Sequence, residues 1–225
     1  TMPKAMVPVA GRPLIEICLH HLIEQGASEV VINVHHFAQQ IIDYVNSHEW
    51  PIPIRISNES EELLNTGGGL RKAGELFTAD GQPILIHNVD ILSNAPIKDF
   101  YQNHLSHDAT LLVSELNTQR YLLFDDDMRL RGWTNIATGE VRSPFANIEP
   151  EKLHRYAFSG IHMFSPRLFT RMQSYPKVFP IMDFYLNECA KADIRGCVQP
   201  NLQLMDVGKL NTLHEAEHFV NELGL

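Results

Sequence analysis

Pro83-Ile84-Leu85-Ile86-His87-Asn88-Val89-Asp90 is the stretch that decides the fold class. Its apolar run, 84–86, is too short for a helix and predicts a strand buried on both faces that ends at Asn88 and Asp90. Upstream, Leu14, Ile17, Cys18 and Leu22 recur at helical spacing behind Pro13, and Gly26 supplies a stop. Residues 30–34 read as a strand and 37–45 as a helix, and Pro51 with Pro53 opens a short extended run over 54–57. A glycine-rich turn at 66–69 leads into a helix through Lys72 and Leu76. Strand and helix alternate, which favours an α/β sheet with parallel strands and right-handed crossovers.

Downstream the pattern is more mixed. Residues 109–115, 121–124 and 128–133 read as neighbouring antiparallel strands, with Asp125, Asp126 and Asp127 as a solvated turn. A strand over 158–164, a helix starting at Pro166, a helix over 181–192 and a strand over 202–207 follow. Thr212 and Glu215 form a capping-box pattern before a last helix. No repeat or linker divides the chain, so 1–225 is expected to be one domain.

Composition narrows the function. The chain has 225 residues, 18 Lys+Arg against 27 Asp+Glu and a formal charge of -9, and its basic residues never gather into a run. No nucleic-acid partner is expected. No apolar stretch approaches the roughly 18 to 20 residues needed to cross a bilayer, so no membrane partner is expected and the location reads as cytoplasmic. Cys18, Cys189 and Cys197 show no pairing pattern and read as core filler. Nothing in the sequence sets an oligomeric state. Thr1 stands where an initiator Met is normal and Pro3 follows, which suggests a chain that begins inside a longer protein.

Ligands of open α/β sheets collect beyond the carboxyl ends of the strands. Asp90 closes PILIHNVD and Asp206 closes LQLMDVG. Two carboxylates converging there suit Mg²⁺, which takes a few carboxylates together with substrate phosphates. Each Asp alone reads equally as the cap of a strand-to-helix turn. In Asn65-Thr66-Gly67-Gly68-Gly69-Leu70-Arg71-Lys72 the glycines permit close backbone approach to a ligand, although a glycine triplet is also an ordinary mobile turn. Lys4, held on a stiff backbone between Pro3 and Pro8, suits phosphate binding. The pairs His20-His21 and His35-His36 lack partners at ligand spacing, Ser159 lacks a nucleophile elbow, and Trp50 with Trp133 reads as packing.

PKAMVPVAGRPLIE, NESEELLNTGGGLRKA, ILIHNVDI, YAFSGIHMFSP and MDVGKLNTLHEA, in that order, resemble the sugar-phosphate nucleotidyltransferases, the nucleoside-diphosphate-sugar pyrophosphorylase family. The form of the glycine segment and the short length are most similar to compact bacterial members acting on N-acetylmuramate 1-phosphate or mannose 1-phosphate. The resemblance implies an α/β fold with a Rossmann-like mixed, mainly parallel sheet flanked by helices, in a single domain whose first strand and glycine-rich signature loop would precede Thr1. It implies Mg²⁺-dependent transfer of a nucleotidyl group from a nucleoside triphosphate to a sugar 1-phosphate, giving a nucleoside-diphosphate sugar and pyrophosphate. Asp90 and Asp206 would bind Mg²⁺. Lys4 would hold the nucleotide phosphates, Thr66, Gly67 and Gly68 would border the nucleotide, and Glu59 would read the base. On the sugar-phosphate side stand Asn88, Arg142, Tyr156 and Gly160. Arg142 lies where many relatives carry the Lys of a Glu-Lys-Pro motif, but here the surroundings are Glu140-Val141-Arg142-Ser143-Pro144. The rival readings are a metal-dependent glycosyltransferase, against which the absence of a DxD motif near Asp90 counts, and a nucleotide-binding regulatory domain without turnover.

Overall fold

The computed structural model describes residues 2–207 and 213–225. In chain order its elements are β1 (Pro8–Val9), β2 (Arg12–Pro13), α1 (Leu14–Glu24), β3 (Val30–Val34), α2 (Ala38–Asn46), β4 (Ile54–Asn58), α3 (Asn65–Gly74), β5 (Ile84–His87), β6 (Ile91–Ser93), α4 (Ile97–Asn103), β7 (Ala109–Ser114), β8 (Arg120–Phe124), β9 (Leu130–Asn135), β10 (Glu140–Arg142), β11 (His154–Phe164), α5 (Phe169–Met172), α6 (Ile181–Glu188), β12 (Ile194–Val198), β13 (Leu204–Asp206) and α7 (Leu213–Leu223). Thr212, and with it the capping box, lies outside the described residues.

The main sheet runs β10-β9-β8-β11-β7-β12, with β5 also paired to β11. The fold is the mixed α/β sheet flanked by helices that the sequence implies. Parallel ladders join β3 to β4 and β7 to β12, while the ladders of β11 with β5, β7 and β8 are antiparallel. Antiparallel pairing therefore outweighs parallel among the described strands, a correction to the mainly parallel balance expected. The physical reason is local: β8, β9 and β10 follow one another through short turns, which can only reverse the chain.

β7 is buried along its whole length and its side chains alternate between two cores. Ala109, Leu111 and Val113 join Leu168, Met172, Phe184 and Tyr185 beneath α5 and α6. Leu112 faces the opposite way, with Ile161, Met163 and the α4 residue Phe100. Each fully buried Leu, Ile or Phe of this kind contributes about 1.5–3 kcal/mol. β5 is covered on both faces as expected, Ile86 packing on the first core and Leu85 on the second.

Several expectations need correction. The glycines of 67–69 are not a turn but lie inside α3. Pro13 closes a small hairpin, with Ala10 and Gly11 both at positive φ in its two-residue loop, before α1 begins at Leu14. β6, α4, β10 and β12 have no counterpart in the sequence reading. The three cysteines are free, and burial pushes the Cys18 thiol up to about 12.

His162 on β11 lies between sheet and α6, its Nδ1 2.7 Å from the Tyr185 hydroxyl. Burial pulls its pKa down to about 3, and burial likewise pulls His87 down to about 4. Both imidazoles are neutral in the folded chain at pH 5, whereas in the unfolded chain they protonate below about 6.5. The unfolded state then binds more protons, so stability falls as pH drops from about 6.5 toward 3 to 4. Urea midpoints measured between pH 7.5 and 4.5 should show this fall, and His162→Asn, which keeps a polar atom for Tyr185, should flatten it by up to one proton. An unaltered slope in that variant refutes the assignment.

Candidate active site

Asp90 does not cap a helix. It sits in the turn between β5 and β6, closed by the Ile91 N–H donating to the Asn88 carbonyl at 3.1 Å. β6 pairs antiparallel with β13, so that Asp206 lies directly across from Ile91, next in chain to Asp90. The Val207 N–H donates to the Asp90 carbonyl at 2.9 Å. The two sequence-predicted acidic residues thus end neighbouring strands. Lys4 joins them: its ammonium lies 3.7 Å from Asp90 Oδ2, with the Lys side chain 67% and the Asp side chain 24% exposed. A tight turn over Lys4–Met6 buries Ala5 in the core between α1, α2 and β3, against which Met6 and Val89 also pack. Burial of Ala5 and Val89 in one cluster is what holds their polar neighbours, Lys4 and Asp90, together.

Asn88 and Gly160 meet beside this group. The Asn88 N–H donates to the Gly160 carbonyl at 3.2 Å. Gly160 stands at φ +79 where the register of β11 on β7 shifts between Phe158 and His162, and a Cβ there would come 2.8 Å from Asn88 Nδ2. Only glycine suits both demands, and the bulge leaves Asn88 exposed at the end of β5. Ser159 is engaged structurally, its hydroxyl donating to the Leu112 carbonyl.

The glycine segment makes close contacts within the chain. The Gly67 and Gly68 N–H groups donate to the Phe179 carbonyl at 2.8 and 3.2 Å. A Cβ on Gly67 would meet the Phe179 ring and lie 2.8 Å from its carbonyl oxygen, and one on Gly68 would strike the Lys177 carbonyl. The close approach these glycines allow is to the chain itself. Thr66 stays exposed, its hydroxyl accepting from the Ile181 N–H at 2.9 Å. Glu59 is turned inward at 2% exposure, one carboxylate oxygen accepting from the Leu64 N–H at 2.9 Å and the other facing Gly69. Its carboxylate braces the loop into α3.

Arg142 and Tyr156 lie on the antiparallel part of the sheet. Arg142 pairs with Asp183 of α6 at 2.7 Å and lies over the Trp133 ring at 6.0 Å. Tyr156 packs against the main core, opposite Leu122 of β8. Asp183 and Trp133 are residues that the sequence reading did not connect to the site, and no local spacing could have done so.

Residues 1–123 match the family described as Nucleotidyl transferase, more than half of the chain. The chain belongs to the nucleotidyl transferase family. Among its relatives, mannose-1-phosphate guanyltransferase beta-B of Xenopus laevis is 24% identical over 193 residues, covering 81% of this chain and 51% of that protein. N-acetylmuramate alpha-1-phosphate uridylyltransferase of Neisseria meningitidis serogroup B is 28% identical over 222 residues, covering 96% and 89%. The chain spans about half the length of the mannose-1-phosphate guanyltransferases it matches. Two solved structures share its fold. HddC from Yersinia pseudotuberculosis, complexed with GMP-PN, has TM-score 0.73 and 20% identity and covers 96% of this chain and 89% of its own. A putative glucose-1-phosphate thymidylyltransferase from Bacillus anthracis has TM-score 0.75 and 12% identity and covers 97% and 87%.

In this nucleotidyl transferase the acidic pair offers hard oxygen donors only, the chemistry Mg²⁺ prefers. Among the described residues, no group of three or more His, Cys, Asp or Glu is placed to hold a metal ion. Two carboxylates fit an ion whose remaining ligands are water and phosphate, and do not fit a metal held in a complete protein cage. The histidine pairs make structural contacts instead: His35 Nδ1 donates to the Glu59 carbonyl, and His20 lies against Trp50. Among the described residues no helix is long and apolar enough to cross a membrane.

Proposed function

We propose that this chain transfers a nucleotidyl group from a nucleoside triphosphate to a sugar 1-phosphate. The observation that carries the reading is the gathering of Lys4, Asp90 and Asp206 at the end of β5 through the β6–β13 ladder, with Asn88 and Gly160 alongside. The names of the relatives, which specify mannose 1-phosphate and N-acetylmuramate 1-phosphate as substrates, support the substrate class.

An oxygen of the sugar phosphate attacks the α-phosphorus in line, and the bond to the bridging oxygen breaks with its electron pair leaving on pyrophosphate. The attacking phosphate is already anionic at neutral pH, so no residue need remove a proton, and the protein's work is positioning and charge neutralisation. When bound, Mg²⁺ on Asp90 and Asp206 would offset charge on the phosphates. Lys4, largely exposed, exchanges Asp90 for a phosphate oxygen. Thr66 borders the nucleotide at the start of α3, and Asn88, beside the Gly160 bulge, faces the sugar. Arg142, tied to Asp183, steadies the sugar side, with Tyr156 on the same sheet.

Pyrophosphate release, measured across a matrix of triphosphates and sugar 1-phosphates with and without divalent cation, tests the reading. At least one pair should release pyrophosphate in a cation-dependent way, and Lys4→Met should raise the triphosphate KM of that pair about tenfold or more, the loss of a charge-assisted phosphate contact. Nucleotide binding with no pyrophosphate from any pair refutes transfer and leaves a regulatory domain. Nucleoside diphosphate released from a preformed nucleotide sugar indicates glycosyl transfer instead.

A further inference from the structure

The Arg71 guanidinium, outside the acidic group, makes four side-chain hydrogen bonds. It points from α3 toward the segment 172–181, which joins α5 to α6. Nη1 donates to the carbonyls of Met172 at 2.7 Å and Tyr175 at 3.1 Å, and Nη2 to those of Pro176 at 2.9 Å and Lys177 at 3.3 Å. The guanidinium also lies over the Phe179 ring, 5.3 Å from its centroid. Four carbonyls converging on one flat cation use the fork of donors that arginine alone provides. Beyond this point the same segment locks onto the start of α3: Phe179 donates to the Leu64 carbonyl and accepts from Gly67 and Gly68, and Ile181 donates to the Thr66 hydroxyl. Lys177 pairs with Glu62 on the loop before α3.

α6, which begins at Ile181, carries Asp183, the partner of Arg142, and Tyr185, the partner of His162 two residues beyond Gly160. One helix is therefore anchored at its first turn to Thr66 and along its length to the opposite side of the site. We infer that Arg71 is a positioning residue: it gathers the segment 172–181 across the start of α3 and so fixes Thr66, and through α6 it aligns the nucleotide side with the sugar side. The inference rests on the proposed nucleotidyl transfer for its kinetic consequence and on backbone hydrogen bonds for its structural one.

The test pairs amide exchange with kinetics in Arg71→Gln and Arg71→Lys. Arg71→Gln should speed exchange at Gly67, Gly68 and Ile181 about tenfold or more with distant β7 amides unchanged, and should raise the triphosphate KM about tenfold while kcat falls less than about threefold. Arg71→Lys, which keeps the charge but cannot serve four carbonyls at once, should lie between it and the unsubstituted chain, and it carries the test if Arg71→Gln does not fold. Millimolar guanidinium should recover part of the lost affinity in Arg71→Gln, a response that general destabilisation does not show. Unchanged exchange at Gly67 and Gly68, or faster exchange with an unchanged KM, overturns the inference. If the unsubstituted chain releases no pyrophosphate from any pair, the transfer reading falls, while the exchange comparison still decides whether Arg71 holds the segment.

Discussion

Asp90→Asn and Asp206→Asn should each lower cation-dependent pyrophosphate release by about 10²- to 10³-fold, the scale expected when a group stabilising transition-state charge is removed. Asparagine has nearly the shape of aspartate, and the backbone contact that joins the two strands, from Val207 N–H to the Asp90 carbonyl, does not involve either side chain. For Asp90→Asn the circular dichroism spectrum and melting temperature should therefore stay close to those of the unsubstituted chain. Asp90→Asn also removes the partner of Lys4, but at 67% exposure that ion pair contributes little to stability. Raising the divalent cation concentration should recover part of the activity if the loss lies in metal affinity. Rates unchanged in both variants would remove the acidic pair from the mechanism.

Gly67→Ala should be strongly destabilising. The added carbon would lie 2.8 Å from the Phe179 carbonyl oxygen and 2.5 Å from ring atom Cδ2, so the chain at 179 must move away from α3. That movement stretches the bonds from Gly67 and Gly68 to the Phe179 carbonyl and disturbs a ring buried among Leu70, Tyr175 and Phe184. Overpacking of this kind costs about 1–3 kcal/mol, and the weakened hydrogen bonds add to it. For a chain of this size the melting temperature should fall by roughly 4–10 °C. Alanine has the higher helix propensity, so an exposed helical glycine would be stabilised by the same change. A melting temperature that stays level or rises would show that the segment 172–181 does not press on α3 as described.

Much of the site was legible in the sequence because its parts lie at the ends of short-range patterns. The apolar run 84–86 identifies β5, and Asp90 follows from being the acidic residue beyond its end. Lys4 was legible from the stiff Pro-flanked turn that carries it. The glycine triplet reads locally as a turn, whereas in the folded chain it lies within the first turns of α3, where its missing side chains make room for Phe179 and Lys177. β12 escaped notice because Gly196 interrupts its apolar run. That glycine is needed where Phe124 and Met128 approach. Glu59 looked available as a polar residue at a strand end, and only the fold turns it inward to Leu64.

The sequence by itself determined several of the strands and the acidic or polar residues at their ends, β5 with Asp90 beyond it and β13 with Asp206 among them, since burial of alternating or continuous apolar residues is written in local order. Only the tertiary structure decided which of those ends meet. β6 and β13 have three residues each, too few to show a period, and their partnership is settled by hydrogen-bond register between segments far apart in the chain. That register places Asp206 beside Asp90, and the packing of Ala5 with Val89 brings Lys4 to the same place. Such pairings arise from the joint burial of several elements and leave no trace in any one of them.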